Sequence, residues 1–251
     1  MSEERPFALT IAGLDPSGGA GLLADIKTME LHKVQGLAIC TGITLQTEDV
    51  FYEMHWTPID LVLRSIEVML KSFPIQVIKI GIIPSLDYLL QITTAIRKQQ
   101  PNVSIIWDTV LKSSSQFDFT NITDKNKVAQ ILQQLDLITP NYEEINQLDS
   151  GRSPEAIALK LRGSCNVLLK GGHNPNTPGH DFLYTQNEIH AIHPIHKSVM
   201  PKHGSGCVLA AAIAAQIALG QCWQPACQQA KSYVENYLNS NSSLIGHHYV
   251  S

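Results

Sequence analysis

Residues 8–30 read ALTIAGLDPSGGAGLLADIKTME, and the order of residue types along them points to an α/β architecture. The run 7–12 is short, apolar and uncharged, which predicts a strand buried on both faces of a parallel sheet. Asp15-Pro16-Ser17-Gly18-Gly19 reads as a flexible turn, and 22–31 as an amphipathic helix. Strand, glycine-rich turn and helix in succession open an α/β unit. Gly13, Gly18, Gly19 and Gly21 do not have the G-x-G-x-x-G spacing, and no G-x-x-x-x-G-K-[ST] run occurs, so neither the dinucleotide fingerprint nor the P-loop accounts for the turn.

The alternation continues along the chain. Apolar runs predict strands at 7–12, 36–44, 77–80, 103–107, 135–138 and 167–169, separated by helical patterns at 22–32, 58–73, 86–100, 125–134, 142–148 and 154–162. A polar hairpin at 181–195 and two closing helices, 207–219 and 225–239, complete the reading. Such a pattern implies a mostly parallel central sheet covered by helices on both faces, in one domain over 1–251.

Composition fits an enzyme domain. In 251 residues, 44% are hydrophobic, enough for a substantial core, and a net charge of -4 leaves no basic footprint for nucleic acid or an anionic membrane, so the partner is expected to be a small molecule. The opening MSEERPF is acidic and lacks an apolar h-region, and the longest apolar stretch, 208–219, is interrupted by Gln216; the expected location is the cytosol. Five cysteines, with no C-x-x-C pair, read as reduced thiols rather than a disulfide framework.

A second glycine-rich turn lies near the other end, in PKHGSGCVLAAAIAAQIALG (201–220). It runs straight into an alanine-rich helix, whose first N–H groups are unpaired and face forward with the positive end of the macrodipole behind them. Gly204 and Gly206 allow backbone to approach an anion, Ser205 stands between them, and Cys207 falls in the first turn, where a thiolate is favoured. In an open α/β sheet, ligands bind beyond the carboxyl ends of the strands, where most of these motifs fall.

Five segments, TIAGLDPSGGAG, LITPNYEEI (137–145), VLLKGGH (167–173), HGSGC (203–207) and QQAKSYV (228–234), occur in an order that resembles the hydroxymethylpyrimidine/phosphomethylpyrimidine kinases of thiamine biosynthesis, within the ribokinase-like superfamily. The resemblance spans nearly the whole chain. It implies a ribokinase-like three-layer fold and an ATP- and Mg2+-dependent kinase acting on 4-amino-5-hydroxymethyl-2-methylpyrimidine and its monophosphate, in a homodimer. A pyridoxal kinase of the same superfamily and a non-catalytic pyrimidine-binding descendant stand as alternatives.

Carried over position by position, the resemblance makes Asp15, Gly19 and Gln46 substrate-binding, the Gln46 amide offering donor and acceptor to an aminopyrimidine edge. Leu45 and Thr47 replace the family's usual neighbours of that glutamine. Asn141 and Glu144 become a Mg-nucleotide element, Glu144 also matching the N3 position of a capping box; Asp108 is a second acidic candidate for the metal. Lys170 supplies charge to the nucleotide phosphates, and Lys231 matches a family lysine nearby. Cys207 stands where sugar kinases carry an aspartate base, and a helix N-terminus is expected to lower its pKa enough for that task. The loop TVLKSSSQFDF (109–119) departs from the family's Met-, Lys- and Gly-Asp-containing form, as Ile82-Ile83 departs from Met-Leu; both bear on the second phosphorylation. His190, His193 and His196 have an H-x-x-H-x-x-H spacing, but alternation on a hairpin turns the middle one away, against a metal site. His247 and His248 are expected to be solvated.

Overall fold

A computed structural model describes residues 4–112, 119–120, 122–174 and 177–249. Nine strands form one sheet: β1 (Phe7–Leu14), β2 (Gln35–Gln46), β3 (Phe51–Trp56), β4 (Ile75–Ile80), β5 (Ser104–Trp107), β6 (Leu137–Ile138), β7 (Asn166–Leu169), β8 (Asp181–Tyr184) and β9 (Ile189–Ile192). Their spatial order is β3-β2-β1-β4-β5-β6-β7-β8-β9. Pairing from β2 to β7 is parallel, while β3 at one edge and β8 and β9 at the other are antiparallel. The fold is therefore α/β with a mostly parallel sheet, as the sequence implied.

Among the described residues, eight helices cover the two faces: α1 (Gly21–Leu31), α2 (Ile59–Ser72), α3 (Leu86–Gln99), α4 (Lys125–Leu132), α5 (Tyr142–Leu148), α6 (Pro154–Leu161), α7 (Ser205–Ala218) and α8 (Trp223–Leu238). Strand side chains divide between two cores with period two: Leu9, Ile11, Ile78, Ile80, Ile105 and Trp107 pack with α2 to α6, whereas Ala8, Val77 and Ile106 pack with α1, α7 and α8. Helix α7 is buried almost all round, and its alanines let α1 and α8 approach closely on either side. Among the described residues, no helix is long and apolar enough to cross a membrane.

Two features differ from the sequence reading. Strand β2 runs on to Gln46 and turns through Thr47 N–H to Val50 O (2.8 Å) into β3, an edge strand that its half-exposed, mixed residues FYEMHW did not announce. The Gly204 turn, which the sequence left unplaced across the sheet, sits over its middle, since α7 packs on β4, β1 and β5. Because β1 lies between β2 and β4, the chain reverses direction across the sheet there, and the crevice beyond the strands' carboxyl ends opens at that switch point.

Candidate active site

A cavity of about 560 Å3 lies in that crevice, bounded by both glycine-rich turns. Gly204 caps α7 in the left-handed conformation (φ 71°), and a Cβ there would stand 2.1 Å from Gly19 O. The two turns are thus packed backbone to backbone, and only glycine fits. Gly206 is the opposite case: its Cβ direction is open, with Lys170 Nζ at 3.5 Å and Asp108 Oδ1 at 4.0 Å as the nearest atoms. Bare backbone at the start of a helix thereby faces a gap flanked by a lysine and a carboxylate, a geometry suited to a phosphoryl group.

Lys170 follows β7 and is drawn into place by its N–H on Pro140 O (2.8 Å). Its Nζ lies 3.5 Å from Glu144 Oε2 and 3.7 Å from Asp108 Oδ1. Burial lowers its pKa, but the Glu144 and Asp108 carboxylates outweigh that and hold it charged. Glu144 completes a capping box on α5, accepting from Asn141 N (2.8 Å) while Asn141 Oδ1 accepts from Glu143 N and Glu144 N (both 2.8 Å). Burial pushes the Glu144 carboxyl up, against the pull of Lys170. Asp108 is fully buried, and its Oδ2 has no hydrogen-bond partner among the described residues. Glu144 at the cavity and Asp108 beneath it, whose Oδ2 makes no hydrogen bond and lies 3.7 Å from Lys79, suit a cation that keeps most of its ligands as water and phosphate. Among the described residues no three His, Cys, Asp or Glu side chains cluster as a metal site.

Beneath these groups lies a charge cluster that sequence reasoning missed. Lys79 Nζ on β4 is completely buried and donates to both Asp25 oxygens (3.1 and 2.9 Å), with Asp108 Oδ2 at 3.7 Å; Thr10 Oγ1 donates to Asp25 at 2.6 Å. Burial works against the charge on Lys79, and the Asp25 and Asp108 carboxylates overcome it. The available signal was a lysine inside the apolar strand IQVIKI and an aspartate on an apolar helix, since a buried charge requires a partner.

Three expectations change on this geometry. Burial pushes the Cys207 thiol up to about 12; Lys79 and the Gly21 N–H pull it down, but Asp108 and Asp25 oppose them. The helix N-terminus therefore does not produce a resting thiolate. Lys231, expected near the nucleotide, lines the cavity with its Nζ committed to protein partners, bonding Gly179 O (2.7 Å) and facing Asp181 at 3.0 Å and Glu235 at 3.5 Å. Gly19 does not line the cavity but packs under His203, whose Cδ2 would be 2.8 Å from an added Cβ.

Asp15 and Gln46 both reach the cavity, Gln46 as the last residue of β2. Asp15 Oδ2 accepts from His203 Nε2 (2.8 Å), Ser17 Oγ (2.8 Å) and Ala20 N (2.9 Å). Burial raises its pKa, but His203, Ser17 and Gln46 bring it down to about 2. The wall beside Gln46 is apolar, formed by Ile82, Val110, Leu111 and Phe119, and the Phe119 ring meets Phe51 edge-on at 5.6 Å. Residues 113–118 of the loop TVLKSSSQFDF lie outside the described residues. The spaced histidines go separate ways: His190 to Glu188 (3.3 Å), His193 onto the His180 ring (5.2 Å) and His196 to Asn236 (3.1 Å). His247 is exposed, but His248 is not solvated as expected; it packs on Tyr237 and bonds Tyr233 Oη (3.0 Å), and burial lowers its pKa to about 4.

Residues 15–251 match the family model described as phosphomethylpyrimidine kinase. The chain belongs to that family. It is 29% identical to the hydroxymethylpyrimidine/phosphomethylpyrimidine kinase of Aquifex aeolicus, over 95% of this chain and 96% of the relative. It is 27% identical to the chloroplastic thiamine biosynthetic bifunctional enzyme of Arabidopsis thaliana over 96% of this chain, but spans only 48% of that longer protein, about half its length. Among solved structures, phosphomethylpyrimidine kinase from Clostridium difficile superposes with a TM-score of 0.77 at 25% identity, covering 92% of this chain and 98% of that one. Pyridoxal kinase from Staphylococcus aureus, in complex with AMP-PCP and pyridoxal, gives a TM-score of 0.82 at 22% identity over 98% and 93% of the two chains, a likeness of fold.

Proposed function

We propose that this phosphomethylpyrimidine kinase family member transfers the γ-phosphoryl group of ATP to the hydroxymethyl oxygen of 4-amino-5-hydroxymethyl-2-methylpyrimidine, and phosphorylates the resulting monophosphate in turn. The observation that carries the reading is the open Cβ direction of Gly206 between Lys170 and Asp108, next to a cavity whose other wall is apolar and edged by Gln46. The N–H groups of the Gly204 turn, with Lys170, meet the charge that develops on the transferred phosphoryl group, and the apolar wall with Gln46 orients the ring. Asp108 and Glu144 would hold Mg2+, directly or through water, and the ion would neutralise nucleotide phosphate charge. Asn141 serves this element as the cap of α5, and Lys231 supports it through Asp181. Phosphoryl transfer through a loose transition state asks little of a base, consistent with a neutral Cys207 thiol. Ser205 contributes its backbone N–H.

We also infer a cytosolic homodimer. Ile43 and Leu45 are exposed at alternate positions of β2, and Val50 in the turn and Tyr52 on β3 (63% exposed) add apolar surface nearby, which a second copy would cover. Sedimentation of the protein and of Leu45→Lys tests this: a wild-type monomer refutes it.

The activity is tested by following ATP consumption and product mass with three acceptors: the hydroxymethylpyrimidine, its monophosphate and pyridoxal. Turnover is expected with both pyrimidines. Turnover with pyridoxal alone, or with none of the three, refutes the reading.

A further inference from the structure

Between the end of β9 at Ile192 and the start of α7 at Ser205 the chain has no helix or strand, so no regular element fixes its approach to the phosphate turn. The anchors come from α8 and the residues that follow it. Glu235 Oε2 accepts from Ile195 N (2.7 Å) and His196 N (2.9 Å), and Asn239 Oδ1 accepts from Met200 N (3.3 Å). The last two residues before Gly204 are then held by a single turn: Lys202 Nζ donates to Asn241 O (2.6 Å) and His203 N to Leu244 O (2.9 Å).

Asn241 closes that turn. Its Oδ1 accepts from Ser243 N (2.9 Å) and Ser243 Oγ (3.0 Å), and its Nδ2 donates to Ile245 O (3.0 Å), side-chain bonds to local backbone that set where the two carbonyls point. Tyr237, buried near the end of α8, seats the far side: its Oη accepts from Gly246 N (3.3 Å), and a Cβ on Gly246 would stand 2.6 Å from the ring. Gly204 has no slack to absorb a shift of His203, because its left-handed backbone is packed on Gly19 O. Neither Asn241 nor Tyr237 lines the cavity, so their effect on chemistry must pass through the turn. Building on the phosphoryl-transfer reading of the Gly204 turn, we propose that Asn241 and Tyr237 are positioning residues: through the carbonyls of Asn241 and Leu244 they hold Lys202 and His203, and so aim the first N–H groups of α7 at the transferred phosphoryl group.

The test measures kcat and KM with ATP and whichever of the three acceptors wild type turns over. Calorimetry adds the affinities for ADP alone and for ADP with magnesium and aluminium fluoride, a mimic of the phosphoryl group in transfer. Asn241→Ala should lower kcat by about 10- to 100-fold, since misplacement by about 1 Å costs up to that much, while both KM values stay within about threefold. The fluoride complex should weaken by a similar factor and ADP alone should not. Asn241→Asp keeps the Oδ1 acceptor and should hold kcat within about fivefold of wild type. Tyr237→Phe keeps the packing but drops the Oη; it should lower kcat by about three- to tenfold, and it carries the test if Asn241→Ala does not fold. A kcat within about twofold of wild type in whichever variant carries the test overturns the inference. So does a loss that Asn241→Asp shares in full, or one that appears equally in the affinity for ADP alone. Turnover of pyridoxal only refutes the pyrimidine reading and leaves this comparison in force, with pyridoxal as acceptor. A wild type that turns over none of the three overturns both.

Discussion

Gly206→Ala and Gly204→Ala add the same methyl group two residues apart, and the structure assigns them opposite consequences. At Gly206 the new Cβ meets no atom closer than Lys170 Nζ at 3.5 Å, and φ lies outside the left-handed region. The residue is in the first turn of α7, where alanine is the better helix former by up to about 1 kcal/mol, so the melting temperature should hold or rise by up to about 4 °C. The methyl nevertheless fills the space through which a phosphoryl oxygen must come within about 3 Å of the backbone N–H groups, and loss of one such donor costs about 2.7–4 kcal/mol of transition-state stabilisation. Turnover should fall by about 100- to 1,000-fold in a folded protein. At Gly204 the Cβ stands 2.1 Å from Gly19 O and 2.7 Å from Ala20 Cα, and the left-handed backbone adds about 1–2 kcal/mol of strain; there stability itself should fall. Steady-state ATP consumption and thermal unfolding of both variants separate the cases. A Gly206→Ala enzyme that turns over within fivefold of wild type, or whose loss merely tracks a lowered melting temperature, refutes the assignment of the phosphate to this turn.

Lys79→Met should destabilise the protein at pH 7 by about 3–5 kcal/mol, a drop of roughly 6–20 °C, because it strands the buried Asp25 carboxylate. Burial already raises the Asp25 pKa, and a carboxyl whose folded pKa is raised costs stability only above its unfolded value near 3.9; the deficit should therefore shrink as urea titrations are run from pH 7 towards pH 4, and a deficit constant with pH contradicts the argument. Glu144→Gln keeps an acceptor for Asn141 N and so should leave the melting temperature within about 2 °C, yet raise the magnesium concentration needed for half-maximal turnover by about tenfold; an unchanged magnesium titration removes Glu144 from the metal site. Because burial pushes the Cys207 thiol up, it is protonated at pH 7, so Cys207→Ala should cost less than about tenfold in kcat there; a larger loss in a stably folded variant restores the base role.

Local chemistry made much of the site legible. The turns at 15–21 and 203–207 announced themselves because glycine, proline, serine and aspartate have distinct backbone preferences, and both bound the cavity. Asn141 and Glu144 were readable as a capping box because that motif is contained within four residues. Lys79 was passed over inside IQVIKI, although its neighbours argued for burial, because its partner Asp25 is 54 residues away. The partners of Lys231 were hidden for the same reason: Gly179 O, which accepts from it beside Asp181, is 52 residues away.

Helix and strand periods are short-range properties, so their alternation and a mostly parallel sheet were legible, whereas the strand order came only from the structure. Edge strand β3 escaped because a strand with one free side and mixed residues carries little periodic signal. Tertiary structure alone decided which groups are charged, saturated or free. Cys207 is a thiol because folding buries it among Asp108, Asp25 and Lys79, and Asp15 stays ionised because His203, 188 positions away, donates to it. Desolvation and hydrogen-bond saturation depend on what surrounds a group in space, and no spacing along the chain records that.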